Sequence, residues 1–350
     1  MTSLPNRAES PGSTVRIAVD AMGTDSHPGY EVRAAMQALD LRDMHITLVG
    51  DEKKIRAYLA KGLADEKRLS ILHADEVVEM HDPPAASVRR KKNSSMNVAV
   101  RLLKDGKVDA VLSAGNTGAM VCSTSLNLGL LPGVERPGIG VPIPTRRGWS
   151  LLIDVGSNID VKPIHLLQYA VMGAEYWKLI NNVPNPAIGL LNVGEEESKG
   201  TELLRGVHAL LDRSHLNFTG NLDGKDLYHG NCDVVVCDGF TGNVALKVSE
   251  SLASTFGYFL KRELGRTPLR RLGALLAAGA FKDIKEQTDY AEKGGAPLLG
   301  VNGTVMICHG GSPVKAVRNA IAGVHDLVSN RLNEKIAKVI TEEMRFLSEG

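Results

Sequence analysis

Nine short runs of mostly apolar residues, separated by segments with helical character, constrain what this chain can fold into. Such runs are typical of strands buried on both faces, and their alternation with helices is typical of a sheet covered on both sides. The pattern therefore predicts an α/β fold, a three-layer α/β/α sandwich. The predicted strands are VRIAVD (15–20), HITLVG (45–50), LSILHA (69–74), DAVLSA (109–114), GIGVPI (138–143), SLLIDV (150–155), AIGLLNV (187–193), DVVVCD (233–238) and TVMICH (304–309).

The charge balance limits the kind of partner that this chain binds. With 41 basic and 40 acidic residues, the chain has no overall positive field that would attract nucleic acid. Aromatic residues make up 4% of the chain, which leaves few platforms on which single-stranded bases stack. We therefore expect no nucleic-acid partner, and any electrostatic partner must meet a local patch.

The cysteines, the apolar stretches and the first fourteen residues predict a cytoplasmic protein. No apolar stretch approaches the ~20 residues that a membrane span requires. Residues 1–14 are polar and rich in Pro, Ser and Gly, which predicts a flexible tail and not a signal peptide. Residues 15–350 read as one domain, in which the last helix, about 313–347, breaks near Gly323. Four cysteines without CxxC spacing are interpreted as reduced core residues: Cys122, Cys232, Cys237 and Cys308.

Polar and glycine residues follow several predicted strands, where backbone N–H groups and helix N-termini can approach an anion. The segment SAGNTGAM (113–120) places two glycines around Asn116 and Thr117. The segment CDGFTGNVALK (237–247) repeats the design with Asp238, Thr241 and Asn243. Taken alone, either segment is explained equally well as an ordinary turn in which Asn or Thr caps a helix. Two such turns in one chain favour a single shared oxyanion or phosphate site, with backbone donors from Gly115, Gly118 and Gly242.

Two basic features are candidates for contacts with anions. Lys199 follows a predicted strand near a helix N-terminus, from where its ammonium can reach an anion held at the neighbouring turns. The acidic triplet before it, Glu195 to Glu197, is typical of a solvated helix start. The second feature is either a solvated face or a docking surface for phosphate groups or an acidic carrier: Arg89, Arg90, Lys91 and Lys92.

The segment from about 251 to 285 combines apolar stripes with basic residues. An apolar stripe beside a basic face suits peripheral attachment to anionic lipid. A helical hairpin packed on a dimer partner explains the same pattern, and both readings stay open. The first stripe comprises Leu252, Phe256, Phe259, Leu260 and Leu264, and the residues predicted to contact a membrane after Pro268 are Leu272, Leu275 and Leu276.

The chain carries no GxxxxGK[ST], HExxH or GxSxG motif and no GxGxxG after its first strand. Its ordered motifs instead resemble the acyl-[acyl carrier protein]:phosphate acyltransferase (PlsX) family of bacterial phospholipid synthesis. These motifs are IAVDAMG (17–23), HADEVVEM (73–80), RRKKNSSM (89–96), SAGNTGAM (113–120), ERPG (135–138), IDVGSNIDVKP (153–163), LLNVGEEESKG (190–200), DVVVCDGFTGNVALK (233–247) and HGGS (309–312).

The resemblance implies transfer of a long acyl chain from the thioester of acyl carrier protein to inorganic phosphate, which gives acyl phosphate for phospholipid synthesis. It also implies a homodimer with a large mixed sheet of the isocitrate/isopropylmalate dehydrogenase-like type, and a membrane glycerol-3-phosphate acyltransferase as the next enzyme. Lys199 and Asn243 correspond to the catalytic pair. The substrate-binding residues predicted from these motifs are Asp20, Gly115, Asn116, Thr117, Gly118, Asp154, Asn158, Asn192, Asp238, Thr241, Gly242 and His309.

Phosphate dianion is already a nucleophile, so the expected scheme needs neither a covalent intermediate nor a metal or cofactor. Two alternatives stay open: a nicotinamide- and metal-dependent decarboxylating dehydrogenase of the same fold, and a non-catalytic scaffold for acyl carrier protein. The first loop departs from the family pattern, because Thr24 stands where the family has a second glycine, with Asp25 and His27 after it. Since a β-branched residue does not readily take positive φ, we expect a different loop conformation.

Overall fold

Eleven strands form one mixed sheet that runs through the whole structure. The computed structural model describes residues 14–59, 67–288 and 290–349, so the predicted tail 1–14 lies, apart from Thr14, outside the described residues. The strands are β1 (Val15–Asp20), β2 (Met44–Gly50), β3 (Leu69–His73), β4 (Ala110–Ser113), β5 (Gly138–Thr145), β6 (Gly148–Ile153), β7 (Ile188–Asn192), β8 (Phe218–Asp223), β9 (Val234–Val236), β10 (Ala296–Leu299) and β11 (Thr304–Ile307).

The strand order is β3-β2-β1-β4-β11-β10-β5-β6-β9-β7-β8. The five strands β3, β2, β1, β4 and β11 are parallel to one another, and so are the four strands β6, β9, β7 and β8. Between these groups, β10 is antiparallel to both β11 and β5, and β5 is antiparallel to β6. The two groups therefore run in opposite directions. We call the edge where β1, β4 and β11 end the Asp20 edge, and the edge where β6, β9 and β7 end the Asp154 edge.

Helices cover both faces of the sheet. Alternate strand residues face opposite sides: Ile17 and Val19 belong to one buried core cluster, whereas Ala18 belongs to the other. This confirms the predicted three-layer sandwich with a large mixed sheet. The helices are α1 (Gly29–Leu39), α2 (Glu52–Leu59), α3 (Pro84–Arg90), α4 (Ser95–Lys104), α5 (Thr117–Asn127), α6 (Pro163–Asn181), α7 (Glu202–Asp212), α8 (Gly239–Leu264), α9 (Pro268–Leu276), α10 (Ala278–Thr288), α11 (Val314–Ser329) and α12 (Leu332–Glu349).

The structure differs from the sequence prediction in three elements. Two strands, β8 and β10, were not predicted. The break in the last helix lies at Arg331, whose φ of 54° is left-handed, and not near Gly323, which sits inside α11 with open space around it. A glycine with no neighbour is tolerated inside a helix, whereas a left-handed residue ends it.

The helices α8, α9 and α10 project from the sheet as an arm. Only the first turns of α8 pack on the sheet, and every residue from Ser251 to Leu260 is exposed. The predicted helical segment 251–285 corresponds to the rest of α8 with α9 and most of α10. Among the described residues, no helix is long and apolar enough to cross a bilayer. All four cysteines are free, and three of them are buried.

Candidate active site

The loop after β6 is organised around one buried carboxylate, that of Asp154. Asp154 is 0% exposed, and its oxygens accept hydrogen bonds from the backbone N–H groups of Ile139 (3.0 Å), Gly156 (3.2 Å) and Asn158 (2.8 Å). They also accept from the backbone N–H of Ser157 (3.1 Å) and from its hydroxyl (2.7 Å). Because these donors satisfy the buried carboxylate, Asp154 holds the loop in place and is not presented to a ligand.

Asn158 continues this network towards the core. Its side-chain amide donates to the carbonyl oxygen of Pro137 (2.6 Å), to the Ser157 hydroxyl (2.7 Å) and to the hydroxyl of Tyr169 on α6 (2.9 Å). Burial, and then the nearby charge of Asp154, raise the pKa of Tyr169 well above its ordinary value, so this hydroxyl stays neutral. Asn158 therefore fixes the loop against α6.

The first turn of α8 packs tightly against the same loop. Asp238 caps the helix, since its carboxylate accepts from the N–H groups of Phe240 (3.0 Å) and Thr241 (2.9 Å) and from the Thr241 hydroxyl (2.6 Å). A Cβ at Gly242 would overlap the Asp154 carbonyl oxygen and lie 2.8 Å from Cys237 Sγ. Gly242 is therefore required for close packing.

The loop after β7 positions Lys199. Asn192, 7% exposed, donates from its amide to the Lys199 carbonyl oxygen (3.2 Å), and its Oδ1 accepts from the Val193 N–H (2.8 Å). Gly200 has a φ of +87°, and a Cβ there would overlap the Asn192 side chain. The acidic triplet lies in this loop and not at a helix start; one member, Glu195, pairs with Lys225 at 3.3 Å.

Two predicted side chains at the Asp154 edge stay available to a ligand: Lys199 and Asn243. Both are exposed, and within the described ranges neither side chain has a hydrogen-bond partner. Asn243 lies close to the loop after β6, since a Cβ added to Gly156 would be 3.8 Å from Asn243 Oδ1. Because β6, β9 and β7 are adjacent and end at one edge, the loops that carry these residues are neighbours. One free cation and one free amide suit an anion beside a polar carbonyl.

The Asp20 edge holds a second polar cluster. Asp20 is 2% exposed and accepts from the Ser113 hydroxyl (2.7 Å) and the Met22 N–H (3.2 Å), while burial raises the pKa of its carboxyl. His309 after β11 is exposed, and its Nδ1 accepts from the Gly311 N–H at 3.1 Å. Thr117, on the first turn of α5, is also exposed.

Asn116 serves as the helix cap that sequence reasoning left open as an alternative. Its Oδ1 accepts from the Ala119 N–H (3.0 Å). Its amide nitrogen lies 3.0 Å from the Met80 carbonyl oxygen and 3.1 Å from that of Asp82. Asn116 thus caps α5 and ties it to the loop before α3, which leaves its side chain occupied inside the protein.

The expected single anion site shared by the two glycine turns is wrong within one chain. Five interstrand steps separate β4 from β9, about 24 Å, and the two strands end at opposite edges. The expected backbone donors are also partly wrong. The Gly115 N–H donates to the Ser113 hydroxyl (3.1 Å), and the Gly242 N–H donates to the Asp238 carbonyl oxygen (2.9 Å). Gly118 lies against Pro84, where a Cβ would approach its ring to 2.9 Å.

The four basic residues 89–92 differ in their surroundings. Lys91 Nζ donates to the Val77 carbonyl oxygen (2.7 Å) and pairs with Asp82 at 2.6 Å, so Lys91 fixes the loop before α3 and is not a free cation. Arg89, Arg90 and Lys92 are exposed. Their role in docking stays a prediction.

The loop after β1 forms its turn without a positive φ at Thr24. In the described ranges, the non-glycine residues with positive φ are Asn182 and Arg331. The Thr24 N–H donates to Glu31 Oε1 (2.7 Å), and burial raises the pKa of Glu31 to about 7. His27 Nδ1 lies 2.8 Å from the Thr24 carbonyl oxygen. Sequence reasoning missed Glu31, because an acidic residue in a first helical turn ordinarily signals a favourable helix dipole and not a buried carboxyl.

Sequence reasoning also missed Ser157, Tyr169 and Gly200, which support the residues that it found. Ser157 and Gly200 lie inside quoted motifs, next to Asn158 and Lys199, so their neighbourhood was signalled. Tyr169 carries no such signal, because a tyrosine in an apolar helix is read as core.

Comparison with known proteins identifies relatives along nearly the whole chain. The family model described as "Fatty acid synthesis protein" matches residues 15–335. The chain is 48% identical over 329 residues to the phosphate acyltransferase of Geobacter sulfurreducens, covering 94% of this chain and 95% of that protein. It is 47% identical over 328 residues to the phosphate acyltransferase of Trichlorobacter lovleyi, with 94% and 95% covered.

Solved structures show the same fold at low identity. A phosphotransacetylase from Streptococcus pyogenes matches with a TM-score of 0.61 and 18% identity, covering 90% of this chain and 94% of that one. A branched-chain phosphotransacylase from Enterococcus faecalis V583 matches with a TM-score of 0.54 and 16% identity, covering 89% and 99%. These matches confirm the predicted fold class. The family model and the sequence relatives, which cover nearly the whole chain, show that this chain belongs to the phosphate acyltransferase family, within the fatty acid synthesis protein family model.

Proposed function

We propose that this protein is an acyltransferase that moves a fatty acyl group from acyl carrier protein to inorganic phosphate and so supplies acyl phosphate for phospholipid synthesis. The observation that carries the proposal is the pair Lys199 and Asn243. Both side chains are unengaged within the described ranges, on neighbouring loops that the buried side chains of Asn192 and Asp154 hold in place. The relatives named phosphate acyltransferase support the same reaction.

In the proposed reaction, a phosphate oxygen attacks the thioester carbonyl carbon, the new C–O bond forms, and the C–S bond then breaks. The thiolate leaves and takes up a proton, so the products are acyl phosphate and free carrier thiol. Lys199 neutralises the charge of phosphate as it approaches, and the Asn243 amide donates to the carbonyl oxygen as it becomes an oxyanion. Asp20, Thr117 and His309 lie at the other edge and take no part in this step within one chain.

The test is phosphate-dependent formation of acyl phosphate from acyl-[acyl carrier protein], trapped as a hydroxamate and compared with a reaction without phosphate. A parallel assay follows reduction of a nicotinamide with isocitrate-like substrates and a divalent metal. Acyl phosphate without nicotinamide reduction supports the proposal. Nicotinamide reduction alone would favour the dehydrogenase alternative, and carrier binding without either product would favour a scaffold.

The carrier is proposed to dock on Arg89, Arg90 and Lys92, since exposed positive charge steers an acidic partner. The run lies at the Asp20 edge, because α3 packs against α5 beside Asn116, so a carrier docked there would deliver its acyl group to Lys199 and Asn243 of a second copy. A double variant, Arg89→Ala with Arg90→Ala, is expected to weaken carrier affinity and flatten its salt dependence. Lys335→Ala with Lys338→Ala on α12 is the matched control. An unchanged salt slope in the first variant would identify the run as a solvated face.

The arm is proposed to form the contact between two copies and, at its tip, the contact with a cytoplasmic membrane surface. Leu252, Phe256 and Phe259 of α8 are 68%, 67% and 48% exposed, which is costly unless a second copy covers them. At the tip, Leu272, Leu275 and Leu276 of α9 are 54%, 72% and 81% exposed beside basic residues. Membrane contact would deliver the apolar product to a membrane glycerol-3-phosphate acyltransferase.

A further inference from the structure

Each of the three loops around Lys199 and Asn243 exposes one large apolar side chain. Ile159 in the loop after β6 is 72% exposed, Val193 in the loop after β7 is 76% exposed, and Phe240 in the first turn of α8 is 59% exposed. Single exposed apolar residues need no explanation. Here one stands on each of three neighbouring segments, next to residues that hydrogen bonds hold in place.

The apolar surface continues along the first turns of α8. Val244 and Val248 are 46% and 60% exposed and follow Phe240 at intervals of four residues, so the three side chains are neighbours along one side of the helix. Asn243 follows Phe240 by three residues and borders the same side, whereas Gly242 faces the sheet. From Phe240 to Val248 the helix rises about 12 Å, which is a length suited to an extended alkyl chain.

We propose that Ile159, Val193, Phe240, Val244 and Val248 form the binding track for the acyl chain of the donor and set the preference for chain length. The inference rests on the proposed function and assigns a further part of the same site. The occupant is a linear alkyl chain and not a second copy, because the track begins beside Asn243 and is built from the loops that position Lys199. Each methylene that leaves water for this surface adds to binding.

The test compares long-chain and short-chain donors, palmitoyl- and butyryl-[acyl carrier protein], and reports the ratio of their kcat/KM values. Val248→Trp fills the track beyond the reach of a butyryl chain, so the ratio of palmitoyl to butyryl is expected to fall about tenfold. Phe240→Ala, which removes apolar surface without adding bulk, is expected to lower the same ratio in the same direction. Glu250→Trp is the matched control, since it adds the same bulk on another side of α8 and loses only an exposed ion pair with Lys247.

Light scattering on each variant separates the possible outcomes. A lower ratio in Val248→Trp and Phe240→Ala with unchanged molar mass, and an unchanged ratio in Glu250→Trp, supports the track. An unchanged ratio in both track variants of an active enzyme overturns this inference alone. Equal loss with both donors together with dissociation would show that a second copy covers the surface. Wild-type protein that forms no acyl phosphate from either donor would overturn the proposed function, and this inference with it.

Discussion

The buried side chain of Asn192 holds the exposed residue Lys199 through its backbone: the Asn192 amide donates to the Lys199 carbonyl oxygen at 3.2 Å. The Lys199 N–H is engaged as well, donating to the Glu196 carbonyl oxygen at 3.0 Å. The turn is therefore rigid at both backbone groups, while the ammonium at its tip is free to meet an anion. Because its backbone is held in place, the flexible side chain of Lys199 explores a smaller volume.

We expect Asn192→Ala to lower kcat about tenfold or more, because the Lys199 turn loses the hydrogen bond that fixes it. Steady-state kinetics and circular dichroism measure activity and folding separately. Asn217→Ala is the control. The Asn217 side-chain amide also donates to a backbone carbonyl oxygen (3.2 Å), but Asn217 lies just before the start of β8, at the end of the strands opposite Lys199. Equal kinetics for the two variants would remove Asn192 from this role.

We expect Lys199→Gln and Asn243→Ala each to lower acyl phosphate formation by about 10²-fold or more, because each removes a group that meets charge in the transition state. Lys247→Gln, an exposed lysine one turn after Asn243, is expected to keep nearly full activity. Turnover near the wild-type rate in either folded active-site variant would exclude that residue from the mechanism.

Two glycines of α8 are expected to respond to alanine in opposite ways. Gly242→Ala forces a methyl group against the Asp154 carbonyl, which we expect to cost at least about 2 kcal/mol of stability. Gly257→Ala meets open space in the same helix, so it is expected to stabilise by about 1 kcal/mol. Urea unfolding of both variants measures the difference, and a neutral Gly242→Ala would contradict the packing described above.

Stability is expected to fall as the pH rises from about 4.5 to about 7, because the folded state holds the Glu31 proton, with a pKa of about 7, more tightly than the unfolded chain does. The loss is on the order of 3 kcal/mol and is complete above this window. Glu31→Gln has no proton to lose, so its stability advantage over wild type should grow through the window. Urea unfolding at a series of pH values measures it, with Glu52→Gln, an exposed first-turn glutamate, as the control. Parallel pH profiles for wild type and Glu31→Gln would contradict the buried protonated carboxyl.

We expect the protein to sediment with anionic vesicles at low salt, and Leu275→Glu with Leu276→Glu to abolish this binding while molar mass and soluble activity stay unchanged. Leu126→Glu, which changes an exposed leucine (57%) on α5, is the control. Loss of the dimer in the arm variant, or no vesicle binding by wild type, would assign this surface to packing between copies.

The strands that sequence reasoning missed lack the pattern on which it relied. β10 has four residues and contains Pro297, yet it lies in the middle of the sheet. A proline in a short apolar run argues against a central strand, and here tertiary pairing with β5 and β11 prevails. β8 is an edge strand with Gly220 at a φ of +101° and an irregular register, so its sequence alternates weakly.

The candidate site could not be predicted completely from the sequence, because the sequence does not reveal that the two groups of strands run in opposite directions. Alternation of strands and helices suggested a single crevice, which would bring Asn116 and Asn243 together. The reversal comes from the tight connection between β5 and β6, where only Arg146 and Arg147 lie between the strands, and from β10. Individual residues were found because glycine, asparagine and lysine at strand ends carry local signals. Lys91 was misread because its partner, Asp82, is recognisable only once the loop before α3 is folded.

The two strands at the centre of the sheet, β10 and β11, are the last to be synthesised. Until residues 296–307 leave the ribosome, β4 and β5 are open strand edges of two separate half-sheets. Such edges template pairing with other chains, so a nascent or truncated chain faces its greatest risk of aggregation late in translation. The segment from residue 296 onward thus closes the sheet, and stop codons or pauses shortly before residue 296 are expected to give insoluble fragments and not a stable smaller domain.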